Sequence, residues 1–250
     1  MATTSKDMLK QAVLSGRYPR FLYKYMPINE HTKSSLKERY LWFAKFEDFN
    51  DPYEGKVRKN HNYTKYDLEA FIKKRQANLT TYDIQQLVSD ADSYIDKGMK
   101  ETYNGARTCC FSLIKDNMLM WSHYADKHKG LCLEFDVLAD TTDVFRLLMP
   151  VQYTNVRESC NYVRDDFSYI RRFALTKSLD WSYEKEYRSL AVRLLDQRFP
   201  FDVKMLKRVI FGCKTSDADI AVIKNLLPEE MIYSKCVLNE YEYKIDFIDV

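Results

Sequence analysis

The spacing of hydrophobic and polar residues along this chain changes between two periods, and the change predicts its strands and helices. Apolar or strictly alternating runs rich in aromatic and β-branched residues are typical of strands. They occur at 21–26, 40–46, 107–113, 131–135, 150–153, 187–194, 203–211, 232–238 and 241–250. Apolar residues three or four positions apart predict helices over 7–15, 33–39, 64–76, 80–97, 116–124, 161–175 and 217–227.

The order of these elements indicates the fold class. Strands and helices are closely mixed, but they lack the regular spacing of βαβ units, which favours an α+β fold with mixed, mostly antiparallel sheets over a doubly wound sheet. The two consecutive helices predict a helical insertion at 64–98 within a single domain spanning 1–250. Neither a GxGxxG nor a Walker sequence is present, which disfavours a Rossmann or P-loop nucleotide site.

Composition adds an aromatic bias to this picture. Nineteen Tyr and fourteen Phe bring the aromatic content to 14%, enough to supply both a core and a ligand-binding surface. The net charge of +3 is small, although the cations gathered in residues 1–40 could suit an anionic ligand or nucleic acid. No run approaches the roughly twenty apolar residues of a membrane span, and no signal peptide is evident. We therefore expect a soluble cytoplasmic protein without a membrane partner.

The cysteines and histidines lack the spacing of metal ligands. The six Cys form no C-x-x-C pair, and His123 and His128 are five positions apart, off the i, i+4 spacing that presents two ligands from a helix. We expect no bound metal. His123 shares a predicted helix face with Leu119 and Met120, which indicates a packed core histidine rather than a general base.

Three patches of mixed aromatic and polar residues lie at the ends of predicted strands. They cover 49–54, 120–130 and 181–188. Side chains at strand ends are held by a rigid scaffold yet stay open to a ligand, so we expect the three patches to form one composite pocket. Asn-Asp-Pro in the first patch also predicts a turn.

The third patch carries a pair of carboxylates, Glu184 and Glu186. Two positions apart at the start of a strand, they are expected to project to the same side. Such a pair can divide the work of orienting a hydroxyl and activating a nucleophile, and it can stabilise the oxocarbenium character of glycosidic cleavage. The alternative is a surface ion-pair cluster with Lys185 and Arg188, which would contribute little energy.

Several segments, in the same order, resemble the bacterial domain-of-unknown-function 2971 family. The similar segments are 22–25, 41–44, 49–54, 110–112, 120–125, 128–130, 181–188 and 210–212, so that the resemblance covers roughly residues 20–250. The family has no settled activity to transfer. In genomic context, the family is similar to genes found in mobile elements and phage-defence islands, and this context implies an effector role.

A remoter similarity is to the ADP-ribosyltransferases. These present a basic or His residue on a first strand, an aromatic or small polar residue on a second, and a Glu at the start of a later strand. Lys24, Trp42 and Glu186 occupy the corresponding places. The resemblance implies an NAD-consuming transferase or NAD glycohydrolase with Glu186 as the catalytic carboxylate. Glu184 would orient the acceptor.

The same resemblance assigns the other contacts with NAD. Lys24 would bind its phosphates or ribose, and Trp42 or Tyr25 would stack on the nicotinamide. A protein, a nucleic acid or water would accept the ADP-ribose. The Ser-Thr-Ser triplet that accompanies Glu-x-Glu in the arginine-directed branch is absent, since the second strand contains Trp-Phe-Ala.

Two other functions stay open. In one, the pocket binds a nucleotide or peptide without chemistry, and Glu186 is held in a structural ion pair with Arg188, Lys177 or Arg172. In the other, a metal-dependent nuclease gathers carboxylates around a cation, namely those of Asp51, Glu54, Glu184 and Glu186. The expected ligand-binding residues are Lys24, Tyr25, Trp42, Asn50, Asp51, Ser112, Trp121, Tyr124, Lys177 and Arg188.

Overall fold

The computed structural model describes residues 5–76, 78–165, 168–192 and 196–250. The helices in these ranges are α1 (Ser5–Leu14), α2 (Glu30–Glu38), α3 (Lys65–Arg75), α4 (Thr81–Ser89), α5 (Ala91–Gly105), α6 (Met118–Tyr124), α7 (Ser168–Leu175) and α8 (Asp217–Lys224). The strands are β1 (Phe21–Met26), β2 (Tyr40–Trp42), β3 (Arg58–Lys59), β4 (Ala106–Ser112), β5 (Leu131–Asp136), β6 (Leu148–Pro150), β7 (Gln152–Tyr153), β8 (Ser159–Cys160), β9 (Thr176–Lys177), β10 (Glu186–Val192), β11 (Arg198–Pro200), β12 (Leu206–Phe211), β13 (Ile232–Leu238) and β14 (Ile245–Asp249).

One eight-stranded sheet organises the fold. Its strand order is β14-β13-β12-β5-β1-β4-β10-β6, and within it only β12 and β13 run parallel. The predicted α+β class with a mixed, mostly antiparallel sheet is confirmed. The side chains of β5 are nearly all buried, as expected for a strand near the middle of a sheet that is covered on both faces.

The helical insertion contains three helices instead of the predicted two. The predicted helix 80–97 breaks at Asp90, whose backbone leaves the helical region, and α5 then continues to Gly105. Thr64 and Thr80 begin α3 and α4 with capping boxes, because each hydroxyl accepts the N–H of an aspartate three positions on. The inner faces of these helices share a hydrophobic cluster with α7 and β10.

Several predicted elements are shorter than their apolar runs suggested. The strand 40–46 ends at Trp42, because Phe43 bonds to Gln197 and only Ala44 pairs again, with Thr108. The helix 161–175 is formed from Ser168 onward. The strand 203–211 begins at Leu206, after a 3-10 turn, and the strand 150–153 is divided into β6 and β7. Of the strand 187–194, the last two positions lie outside the described residues.

The predicted C-terminal strand 241–250 is formed only from Ile245 to Asp249. Before it, Asn239 accepts the backbone N–H groups of Tyr241 and Glu242, and this turn leaves the rings of Tyr241 and Tyr243 almost fully exposed. The alternating pattern there reflects a turn followed by a strand, not one long strand.

The loop between α6 and β5 explains why glycine is needed at two positions. Asp126, Lys127 and His128 all have left-handed backbones, whereas Gly130, where the sequence suggests a sharp reversal, does not. A Cβ on Gly130 would lie 2.2 Å from the carbonyl oxygen of Met26, and one on Gly212 would lie 2.1 Å from that of His128. Glycine therefore allows close backbone approach here.

Candidate functional site

A cavity of about 290 Å³ opens beside β1, where this strand pairs with β4. The register between the two strands contains one pair, Tyr23 with Ser112, and four consecutive residues of β1 (23–26) line the opening. The full lining is Tyr23, Lys24, Tyr25, Met26, His31, Trp42, Ala44, Phe49, Asn50, Thr108, Cys110, Phe111, Ser112, Met120, Tyr124, Lys177, Glu184, Glu186 and Arg188.

The sheet order brings residues from all three sequence patches to this cavity. Ser112 of β4 lies opposite Tyr23 of β1 on one side and Glu186 of β10 on the other. Asn50 reaches the cavity from the first patch and Tyr124 from the second. The expectation that the three patches share one pocket is thus met by the geometry.

Aromatic side chains form much of the wall. The rings of Trp42 and His31 meet edge to face with centroids 5.1 Å apart. Tyr25 donates its hydroxyl hydrogen to the carbonyl of Ile114 at 2.9 Å, and its ring stands edge to face against Trp121 at 5.1 Å. Trp121 itself is fully buried behind this wall and bonds to the Lys115 carbonyl, so it supports Tyr25 and does not line the cavity.

Arg188 occupies the base of the cavity and has no exposed surface. Its Nε donates to Glu186 Oε1 at 2.8 Å and its Nη2 to Glu186 Oε2 at 3.1 Å, a bidentate pair. Its Nη1 donates to Glu54 and, at 2.6 Å, to the carbonyl of Ala174. Arg188 therefore joins the first patch to the third through buried ion pairs.

Glu184 belongs to a second buried group beside the first. Lys177 Nζ donates to Glu184 Oε2 at 2.6 Å and lies 3.6 Å from Glu186 Oε2. The hydroxyl of Tyr124 donates to the other oxygen of Glu184. Both carboxylates thus approach Lys177, and Arg188 binds Glu186 alone of the two. The prediction that both belong to the start of a strand is wrong for Glu184, which ends a 3-10 helix, while β10 begins at Glu186.

The two carboxylates differ in their ionisation. Burial opposes ionisation of Glu186, but Arg188 and Lys177 outweigh it and lower the pKa of Glu186 to about 2. Burial raises the pKa of Glu184, and the nearby charge of Glu186 raises it further, against the opposing effect of Lys177. The same burial, together with Glu184, raises the pKa of the Tyr124 hydroxyl. Glu186 is consequently a fixed anion, whereas Glu184 is the carboxyl that takes up a proton more readily.

Lys24 lines the cavity from β1. Its Nζ donates to the carbonyl of Cys110, the β4 residue paired with Arg188, at 3.2 Å and lies 5.5 Å above the ring of Phe111. Among the described residues, Lys24 has no carboxylate within ion-pair distance, although the negative charge of Glu186 acts on it from farther away.

The first patch divides between two directions. Asn50 lines the cavity, but the side chain of Asp51 turns away to accept the backbone N–H of Tyr53 at 2.9 Å and lines a second cavity. Asp51 and Trp121 are accordingly the two expected ligand-binding residues that this cavity does not include. Three of the four carboxylates named for a nuclease are bound by side-chain cations instead of facing a shared metal position. Glu54 and Glu186 bind Arg188, and Glu184 binds Lys177.

The interpretation of His123 as a core residue is wrong. Its side chain is exposed, and its Nδ1 lies 2.9 Å from the hydroxyl of Tyr183. His123 lies within α6, four positions after Leu119, and the side chain of Leu119 is itself exposed, so this side of the helix faces solvent.

Sequence reasoning missed several lining residues. His31, Phe49, Thr108 and Cys110 line the cavity from α2, the loop after β2, and β4. His31 alone gave no local signal, because its place follows from the packing of α2 beside β2. Cys110 and Ser112 lie two positions apart on β4, which was a usable signal. Burial and Glu186 raise the pKa of the Cys110 thiol, which disfavours a reactive thiolate.

Within the described ranges, no group of three or more His, Cys, Asp or Glu side chains is placed to hold a metal ion. None of the helices there has the length and apolar character needed to cross a membrane.

Comparison with known proteins identifies one family. Residues 120–189 match the family model DUF2971, described as a protein of unknown function, and this confirms the resemblance inferred from the sequence motifs for that segment of the expected residues 20–250. The matched segment contains Tyr124, Lys177, Glu184, Glu186 and Arg188, that is, the charged base of the cavity.

No curated protein and no solved structure matches the chain. The remote resemblance to ADP-ribosyltransferases receives no support from these comparisons.

Proposed function

We propose that this protein binds a small molecule of the nucleotide class, whose planar ring system occupies the cavity. The observation that carries the proposal is the bidentate grip of buried Arg188 on Glu186, with Lys177 close by. A carboxylate engaged on both oxygens is a structural anion, as the binding hypothesis expects. It is poorly disposed to act as a catalytic base or nucleophile.

The walls suit a flat heterocycle. Tyr25, His31, Trp42 and Phe49 present aromatic surface to a cavity whose size is at the lower end of small-molecule sites. Aromatic side chains stack on the faces of nucleobases and nicotinamide with a gain of about 1–3 kcal/mol per ring. These residues come from β1, α2, β2 and the following loop, so the slot is assembled by the fold.

Polar groups at the edge of the cavity suit the edge of such a ring. Asn50 offers an amide, which both donates and accepts, and Lys24 offers a cation without a carboxylate partner in the described chain. At the charged base, the cations of Lys177 and Arg188 are bound by three carboxylates, those of Glu54, Glu184 and Glu186, so neither cation is left for a ligand. The ring portion of the ligand is therefore expected to carry no negative charge.

Trp42 provides a direct test of this proposal. Titration with adenosine, guanosine, cytidine and nicotinamide riboside is expected to produce a saturable change in tryptophan fluorescence for at least one of them. Trp42→Ala should weaken that binding by tenfold or more in isothermal titration calorimetry, because a stacking partner is lost.

A second variant tests whether the fluorescence change comes from Trp42 and not from another tryptophan. Trp181→Phe removes a tryptophan that does not line the cavity and keeps an aromatic ring beside Lys177, whose ammonium lies 4.6 Å from the Trp181 ring, so the fluorescence change and the affinity should persist. If none of the nucleosides, nor their 5′-phosphates, binds wild-type protein at millimolar concentration, the proposed function is wrong.

A second function, cleavage of NAD, is favoured by a different observation. Lys24, Trp42 and Glu186, the residues indicated by the resemblance to ADP-ribosyltransferases, line the same cavity as Glu184. The raised pKa of Glu184 also suits proton transfer. In this alternative, NAD is the substrate and ADP-ribose passes to water, a protein or a nucleic acid. An effector role in phage defence and a cytoplasmic location stay predictions.

Nicotinamide release from NAD tests the alternative, with and without cell extract as a source of acceptor. If the protein is such an enzyme, Glu186→Gln should lower the rate by a hundredfold or more, and Glu47→Gln, an exposed carboxylate outside the cavity, should leave it unchanged. Circular dichroism would establish that both variants are folded. Binding of NAD without any release would contradict the enzyme and support the binding protein.

A further inference from the structure

A second cavity of about 280 Å³ lies beside the first and differs from it in chemistry. Its lining is polar and cationic where the first is aromatic, and it consists of Asp51, Tyr53, Lys56, Val57, Thr154, Asn155, Val156, Arg157, Glu158, Arg172, Thr176, Lys177 and Ser178. The hydroxyls of Thr154 and Thr176 add groups that can donate hydrogen bonds to an anion, whereas Ser178 donates to Asp180.

The two cavities adjoin at two places in the chain. Lys177 lines both of them, with its ammonium group directed to Glu184 at the base of the first. Asn50 lines the first cavity, and its neighbour Asp51 lines the second. A ligand longer than one ring could therefore extend from one cavity into the other.

Two cations of the second cavity are not paired with a carboxylate. Arg172 is bound to Glu158 at 3.5 Å and to Asp165 at 2.9 Å, and Lys177 is bound to Glu184. Lys56 and Arg157, which are both exposed, have no carboxylate within 4.0 Å in the described part of the chain. These two side chains are therefore available to attract an anion.

Arg157 is exposed and packs against an aromatic ring of the cavity lining. Its guanidinium lies 5.1 Å from the centre of the Tyr53 ring, a cation–π arrangement that leaves the edge of the guanidinium free to donate. Of the two carboxylates lining this cavity, Asp51 is buried and accepts the N–H of Tyr53, and Glu158 faces Arg172.

We propose that the second cavity binds the phosphate of a nucleotide whose ring lies in the first cavity, with Arg157 and Lys56 as the principal contacts. This inference rests on the proposed function and narrows the ligand from nucleosides to their phosphorylated forms. Guanidinium groups pair with phosphate oxygens in bidentate geometry, and ammonium groups add a point charge.

The test compares ligands that differ by a single phosphate. Wild-type protein is titrated with nicotinamide riboside and nicotinamide mononucleotide, and with adenosine and AMP, by isothermal titration calorimetry at low ionic strength. Each monophosphate is expected to bind at least tenfold more tightly than its nucleoside, and the preference should shrink as salt is added. Arg157→Ala and Lys56→Ala should remove most of the preference and leave nucleoside affinity unchanged.

Lys65→Ala is the matched control, because Lys65 is an exposed cation on α3 outside both cavities. Equal affinity of nucleoside and monophosphate for wild type would overturn this inference while the proposed function stands. A preference that survives both cavity variants would place the phosphate elsewhere and also overturn it. If none of these four compounds binds, the comparison is repeated with guanosine and GMP and with cytidine and CMP, and absence of binding by all eight compounds would refute the proposed function, and this inference with it.

Discussion

Replacing Arg188 by methionine is expected to lower the free energy of unfolding by about 3–5 kcal/mol. Methionine fills much of the same volume but leaves Glu54 and Glu186 buried without their cation, and it leaves the carbonyl of Ala174 without its donor. An uncompensated charge in a dry site costs more than the pair was worth. Urea denaturation followed by circular dichroism measures the loss.

The exposed pair of Arg198 and Glu38 supplies the control for Arg188. Both side chains are about half exposed, and their N···O distance is 2.9 Å. Arg198→Met should therefore cost at most about 1 kcal/mol. A further variant, Arg188→Met with Glu54→Gln and Glu186→Gln, removes the stranded charges and should recover part of the stability. If Arg188→Met lowers the free energy of unfolding no more than Arg198→Met does, the buried ion pairs of Arg188 do not stabilise the base of the cavity.

The strands that carry the site were readable from local pattern. β1, β4, β5 and β10 are continuous apolar or alternating runs, because each is buried against the rest of the sheet. Their predicted ends differ from the observed ones by at most two residues, and those of β1 are the same. The expectation of a shared pocket also followed from local information, since all three patches lie at strand ends.

The partners of the charged residues could not be read in the same way. Glu54 and Arg188 are 134 positions apart, and nothing in their local sequences indicates that they meet. Their pairing depends on strand order, because β10 lies beside β4 while the loop after β2 folds over both. The interpretation of Glu184 to Arg188 as a weak surface cluster failed for the same reason: the sequence pattern of alternating charges does not reveal burial.

Turn geometry limited the prediction of individual side chains. Asn50 and Asp51 are neighbours with similar side chains, yet one lines the first cavity and the other bonds to the backbone and lines the second. An Asx turn and a ligand contact are equally compatible with the same residue type. Only the direction of the chain after β2 separates them.

The acid dependence of stability is expected to reveal which of the two carboxylates is the fixed anion. The folded pKa of Glu186 is about 2, against an ordinary value of 4.5. A lowered pKa contributes stability that is present above pH 4.5 and lost as the pH falls toward 2, in total about 3 kcal/mol. Glu186→Gln should accordingly be most destabilising near neutral pH, and its cost should shrink by about 2 kcal/mol between pH 5.5 and pH 3.

Glu184→Gln serves as the control of opposite sign. Because burial raises the pKa of Glu184, the folded state retains that proton to higher pH than the unfolded state does. The contribution of protonated Glu184 to the free energy of unfolding is complete below pH 4.5, and it declines as the pH rises through the raised pKa. Relative to wild type, Glu184→Gln should gain stability over that rise. Urea titrations from pH 3 to pH 7 measure both variants, and a cost of Glu186→Gln that is equal at pH 5.5 and pH 3 would contradict an ionised Glu186 bound by Arg188.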